Sequence, residues 1–283
     1  GNLALGAGPA RNRAMKQSRG KVFCIQDADD VMEPTRIREQ LEALASHPDA
    51  IVGSKFTRIP EDATERYTKW CNSLTQDQLM LQRFRELTLI QPTWMFRREI
   101  WSRLGGYAEP TEANAALIGK NGLVMAEDMD FFYRHLDQQE PTKGKRLYLV
   151  ERPLVKYRNV AGSASWRTPR RMLFQIKVKA MERTVLAPLK QFTIWGAGRD
   201  GKDFYKMLSE EGRAKVTMMC DIDEKKIKAG YHNKQLKTTV PVVHFSEAKP
   251  PIVCCVAMER GGDFERNLAT LNLVEGVDYW HFT

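Results

Sequence analysis

Short apolar runs alternate along this chain with longer stretches of helical period. Lys21 to Ile25 is apolar and rich in strand formers, and after Pro34 the residues Ile37, Leu41 and Leu44 recur at helical spacing. Between them stand three aspartates, Asp27, Asp29 and Asp30, at the carboxyl end of the expected strand. Ahead of that strand, "GAGPARNRAMKQSRG" reads as a Gly-rich turn and a helix, with Pro9 in its first turn and Gly20 at its stop. "AIVGSKFTRI" predicts a strand, and "TQDQLMLQRFREL" a helix opened by a capping box of Thr75 and Gln78. "LIQPTWMFRREIWSRLGGY" predicts a strand, a short helix and a glycine stop. "MAEDMDFFYRHL" predicts a helix with Glu127 and Asp128 in its first turn and Phe131, Phe132 and Leu136 facing inward. Strands are expected near Leu147 and Leu154.

The character of the chain changes after a basic stretch. From Arg167 to Lys190 seven Lys or Arg accompany one acid, Glu182, while Leu173, Ile176 and Ala180 mark an apolar side, as on a solvated connecting helix. Beyond it, "FTIWGAGRDGKDFYKML" reads as strand, Gly-rich turn and helix, "KVTMMCDID" as a second strand ending in acids, and "PPIVCCVAM" as a further buried strand. The expected organisation is α/β throughout: a larger domain over 1–165, a basic connector over 166–190 and a small Rossmann-like domain over 191–283.

Composition narrows the functional classes. The chain has 283 residues, 42% hydrophobic and 28% charged, and no apolar run approaches the roughly 20 residues that cross a bilayer. The net charge of +9 is spread along the chain without a nucleic-acid-binding signature, so no specific nucleic-acid partner is expected, and a pyrophosphate or an anionic surface accounts for the balance equally well. Five cysteines without a CxxC pair read as buried thiols of a reducing compartment, hence a cytoplasmic protein.

Carboxylates crowded at the carboxyl end of a strand lie where open α/β sheets bind ligands, and hard oxygen donors suit Mg²⁺ or Mn²⁺. A second acidic pair, Glu127 and Asp128, stands at another loop-to-helix junction, where a helix amino terminus favours the ionised form. With "PARN" before the first site and "YRNVAGSAS" after the second, this arrangement resembles the family 2 glycosyltransferases of GT-A fold. "DADDVMEPTRIREQ", "EDMDFFYRHL", "FTIWGAGRDGKDFY" and "VDYWHF" resemble in particular its β-1,3-N-acetylglucosaminyltransferase-like branch. The resemblance implies an inverting transfer of a sugar, N-acetylglucosamine for that branch, from a UDP-sugar to a carbohydrate or glycoconjugate hydroxyl. It makes Asp29 the metal ligand, with Asp27 and Asp30 supporting it, Asp128 the general base, and Glu127 a residue that orients the base or binds acceptor. Arg11 and Asn12 would contact the donor, Arg158, Ser163 or Ser165 the diphosphate, and Trp94 would offer a face to the acceptor or stand in the core.

Two departures accompany the resemblance. Val160 stands where many relatives carry a histidine, and the strand and helix that hold the nucleoside would precede Gly1, so this chain by itself is expected not to bind a sugar nucleotide fully. The second domain raises a rival. Gly196, Gly198 and Gly201 form GxGxxG between strand and helix, and Asp221 stands where a ribose-binding acid lies in a dinucleotide fold. An NAD(P)- or nucleotide-binding protein is one alternative, with NAD the less favoured ligand, and a catalytically inactive interaction protein is the other.

Overall fold

A computed structural model describes residues 6–109, 126–138, 144–160, 162–163, 168–257 and 262–283. Packing divides the chain into two units, 1–80 with 87–173 and 81–86 with 174–283.

The first unit is built on a five-stranded sheet in the order β1-β4-β3-β5-β2. Its elements follow the chain as α1 (Ala7–Gln17), β1 (Val22–Cys24), β2 (Val31–Met32), α2 (Arg36–Ser46), β3 (Ile51–Ile59), α3 (Glu65–Ser73), α4 (Gln78–Leu81), β4 (Met95–Arg97), α5 (Arg98–Leu104), α6 (Glu127–Leu136) and β5 (Leu147–Arg158). β3 and β5 pair in parallel, and β4 runs antiparallel to both β1 and β3, so β1, β3 and β5 share one direction. Apolar side chains of β1, β3 and β4 meet Leu44 of α2 on one face of the sheet. A ring stack of Trp94 on Phe132 at 6.0 Å and of Tyr107 on Phe131 at 4.6 Å seats α6.

Local chemistry accounts for several boundaries. Thr75 and Gln78 form the reciprocal capping box: the Thr75 amide donates to Gln78 Oε1 at 2.9 Å and the Gln78 amide to Thr75 Oγ1 at 3.4 Å. The helix it opens is nevertheless only four residues long, because the chain turns at Leu81 into the segment that packs with the second unit. Gly105, with φ of +69°, ends α5, and the amides of Gly105 and Gly106 return to Ser102 and Trp101. The two strands expected near Leu147 and Leu154 are one, since β5 continues through a register irregularity opposite Ser54 to Phe56.

The face of α2 differs from the one its apolar spacing predicts. Ile37 and Leu41 are each 41% exposed, whereas Arg36, Gln40 and Leu44 are buried. Arg36 donates to Gln40 Oε1, Gln26 Oε1 and the carbonyls of Ile25 and Pro92, all within 2.7–2.9 Å. Gln40 in turn donates to the carbonyls of Val52 and Thr93. Carbonyls of β3 and of the loops beneath the helix need donors, and these two side chains supply them.

The second unit carries β6 (Phe192–Trp195), β7 (Val216–Asp221), β10 (Val242–His244), β11 (Ile252–Cys254) and β12 (Tyr279–His281) in a wholly parallel sheet ordered β10-β7-β6-β11-β12, with β8 (Tyr231–Asn233) and β9 (Thr238–Val240) as a separate antiparallel pair. Its helices are α7 (Arg170–Met181), in which the division between the units falls, α8 (Arg199–Met207), α9 (Glu210–Ala214), α10 (Glu224–Ala229) and α11 (Asp263–Ala269). The basic helix α7 buries Ile176 and Ala180 as its pattern predicts, and also Lys177, which donates to the Arg85 carbonyl at 2.8 Å. All five cysteines are free thiols. Among the described residues, no helix is long and apolar enough to cross a membrane.

Candidate functional site

The acidic turn leaves β1 through Ile25 and Gln26. The Asp30 amide donates to the Asp27 carbonyl, and Gln26 Nε2 donates to the carbonyls of Asp27 and Asp30, while Gln26 is itself held by buried Arg36. From the other side, Arg158 at the end of β5 donates its amide to Asp30 Oδ1 at 2.8 Å and its Nε to the Asp29 carbonyl at 3.0 Å. The turn is thus fixed through its backbone and the Asp30 carboxylate, leaving the Asp29 carboxylate to face outward. It is exposed and makes no hydrogen bond or ion pair among the described residues, and Asp30 Oδ2 is buried without a hydrogen-bond partner. These are hard oxygens of the kind that divalent cations take, although among the described residues no group of three or more potential ligands is set to hold one.

Arg11 ties this turn to the second acidic pair. One guanidinium nitrogen lies 2.9 Å from Asp27 Oδ1 and another 3.1 Å from Glu127 Oε1. The first turn of α1 reaches this position because Gly8 lets it approach closely, since a Cβ there would stand 3.1 Å from Glu127 Cγ. Asn12 fixes the helix. Its amide nitrogen donates to the Tyr107 carbonyl and Glu109 Oε1, and its oxygen accepts from the Tyr107 amide and Trp101 Nε1. All four bonds an asparagine amide can make are therefore used within the protein, so Asn12 is an anchor of α1 and not the donor contact expected from the sequence.

Asp128 sits one residue beyond, with its Oδ1 accepting from the Met129 amide at 2.7 Å. It lines a cavity of about 370 Å³ with Arg58, Tyr67, Gln91, Tyr157 and Asn159. Arg58 stacks on the Tyr157 ring at 4.3 Å and is nearly buried, so a fixed cation stands in the same cavity as the candidate base. Sequence reasoning did not single out Arg58, Tyr67 or Tyr157. The one available signal was a cation at the end of a strand otherwise buried.

Burial dominates the titration of these acids. It pushes Glu127 up to about 7, with Asp128 adding to the rise and Arg11 opposing it. Asp30 rises to about 6, chiefly by burial, against the bond from the Arg158 amide. Asp128 is raised by burial as well, which outweighs the Met129 amide and Arg11. The helix start was expected to favour the ionised carboxylate, and the low-dielectric setting reverses the net direction. Because both values are raised on folding, the folded chain binds protons more tightly than the unfolded chain. Stability then falls as pH rises, from 4.5 to about 7 for Glu127 and from 3.8 to about 6 for Asp30. Urea unfolding between pH 4.5 and 8 should show that decline, and Glu127→Gln should flatten it. An unchanged slope in the variant would contradict the assignment.

The remaining sequence candidates divide. Trp94 is fully buried, its indole N–H donating to the Leu89 carbonyl at 2.9 Å, so it is a core residue with no face for an acceptor. Ser163 is half-buried, with its amide bonded to the Val160 carbonyl, and Ser165 lies outside the described residues. In the second unit Asp221 accepts from the amides of Ala197, Ile222 and Asp223 and from Lys226 Nζ, so its carboxylate is consumed and cannot clamp a ribose as the GxGxxG pattern implied.

Parts of this chain are similar to known proteins. An uncharacterized glycosyltransferase of Methanocaldococcus jannaschii is 24% identical over 162 residues, covering 54% of this chain and 47% of the relative. The S. aureus TarS 1-349 structure in complex with UDP-GlcNAc aligns with a TM-score of 0.42 at 13% identity, covering 74% of this chain and 53% of that one. A further TarS structure aligns with a TM-score of 0.41, covering 75% and 38%. The chain thus spans about half the length of the curated relative it matches. Residues 3–105, which carry Arg11 and the acidic turn, match the model of glycosyl transferase family 2.

Proposed function

We propose that the first unit is the catalytic domain of an inverting glycosyltransferase that moves a sugar from a UDP-sugar to an acceptor hydroxyl. The observation that carries this reading is the single cation, Arg11, joining an acidic turn at the sheet's ligand edge to a helix-borne acidic pair that opens on a cavity. The family 2 match over 3–105 supports it. N-acetylglucosamine is the donor sugar in this reading, on the sequence resemblance to the N-acetylglucosaminyltransferase-like branch. Free thiols, four of the five buried, accord with a cytoplasmic setting.

Asp29 would hold Mn²⁺ or Mg²⁺, with Asp27 and Asp30 beside it. No group of three or more potential ligands is set to hold an ion among the described residues, so the remaining coordination falls to diphosphate oxygens and water. The ion, when bound, neutralises charge that develops on the leaving diphosphate. Arg11 adds a fixed positive charge at that point, and Arg158, already bonded to the Asp29 carbonyl, lies on its other side. Asp128 takes the proton of the acceptor hydroxyl as that oxygen bonds to the anomeric carbon and the bond to the diphosphate breaks on the opposite face. A carboxylate raised by burial is a stronger base for this step than one in water. Glu127, held by Arg11, keeps the start of α6 in register with the turn.

The test is acceptor-dependent release of UDP from a panel of UDP-sugars, with Mn²⁺, against a panel of saccharides. UDP-GlcNAc should be turned over, and Asp29→Ala should lower kcat/KM by on the order of a hundredfold or more. Absence of acceptor-dependent release from every UDP-sugar would overturn the reading.

A further inference from the structure

The glycine-rich loop of the second unit borders a cavity of about 460 Å³, large enough for a small ligand. Its place in the fold is specific. From β6 the sheet proceeds to β7 and β10 on one side and to β11 and β12 on the other, so the strand order reverses between β6 and β11. The cavity lies at the carboxyl ends of these strands, lined by Trp195 and Gly196 after β6, Asp221 to Asp223 after β7, and Cys255 and Val256 after β11. A reversal of this kind opens the crevice in which parallel sheets take their ligands.

The three glycines there do different things. Gly196 has φ of +110°, and a Cβ on it would lie 2.7 Å from the Cys255 carbonyl oxygen. A Cβ on Gly201 would lie 1.8 Å from the Gly196 carbonyl oxygen. Both serve the fold. Gly198 does not, because a Cβ there would meet only Lys226 Nζ at 4.0 Å. Its bare backbone therefore faces open space in the cavity, at the start of α8, and the amides of Gly198 and Arg199 make no hydrogen bond among the described residues. Lys226 projects to the same place, held by Asp221 at 2.9 Å. The opposite wall is apolar, formed by Trp195, Val256 and Phe264, and Ile222, 56% exposed, stands at the rim.

We propose that this cavity binds a nucleoside phosphate, with the phosphate at the Gly198 backbone and Lys226 and the base against the apolar wall and Ile222. Because Asp221 is spent on the loop and on Lys226, the ribose diol is left without a carboxylate partner. Recognition then rests on phosphate and base, and a simple nucleotide binds at least as well as NAD⁺. The inference is independent of the transferase reading of the first unit.

The experiment uses the whole chain carrying Asp29→Ala, so that binding at the first unit's acidic turn does not contribute. Hydrogen exchange is followed with ADP, UDP, NAD⁺ and inorganic phosphate. ADP or UDP should protect amides at 196–201 and 221–226. Gly198→Phe, which fills the cavity from a position where the fold leaves room, should abolish that protection without lowering the melting temperature, and Lys226→Gln should weaken binding by about tenfold or more. No protection by any probe, or protection that survives Gly198→Phe, would overturn the proposal. Equal protection by inorganic phosphate would overturn its base-binding half, and protection by NAD⁺ alone would overturn the recognition argued from Asp221.

Discussion

Asp128→Asn should reduce transfer by about 10²–10⁴-fold, the usual contribution of a positioned general base, while leaving affinity for UDP within about twofold. The asymmetry follows from geometry. Asp128 accepts the Met129 amide with Oδ1 and faces the cavity shared with Arg58, Gln91 and Asn159, whereas the acidic turn is held to Arg11 through Asp27 and to Arg158 through Asp30. An asparagine preserves shape and the amide contact but cannot take a proton. The same substitution should remove the acidic limb of the kcat profile, which in the native chain lies above the ordinary carboxylate range because burial raises Asp128. Retention of a tenth or more of the native rate by Asp128→Asn would move the base elsewhere, with Glu127, its neighbour in the chain, the first alternative.

Arg36→Ala should cost about 3–5 kcal/mol, at the upper end of what a point substitution does. The side chain is fully buried and donates to two backbone carbonyls and two glutamine side chains. Removing it strands the carbonyls of Ile25 and Pro92 in the interior, so even Arg36→Met, which restores most of the volume, leaves a large part of the loss. The consequence reaches the site, because Gln26 stands between Arg36 and the carbonyls of Asp27 and Asp30. Since the chain has two units, hydrogen exchange at 22–26 and 91–96 is the measurement of choice over a single unfolding midpoint. Unchanged protection there in Arg36→Ala would contradict the network.

The sequence pattern revealed the elements better than it revealed their faces. Period and capping located α2, the start of α4 and α6, and the glycine stop of α5, because those signals are local. The buried side of α2 was illegible, since Arg36 and Gln40 look like surface residues until the carbonyls of Ile25, Val52, Pro92 and Thr93 are brought beneath them from separate parts of the chain. The site behaved likewise. Both acidic clusters could be named from spacing and resemblance, but that Arg11 joins them depends on the fold, as does the use of Asn12 as an anchor. The GxGxxG pattern names three glycines without distinguishing what each does. Structure separates two that the backbone requires from one that it does not.

The most direct test of the acidic turn as a diphosphate site is isothermal titration of UDP, with and without Mn²⁺, into the folded protein and into its Asp29→Ala variant. Metal-dependent binding of UDP, lost on substitution of Asp29, is the expected result. Failure of UDP to bind any folded form, or binding indifferent to both Mn²⁺ and Asp29, would contradict it.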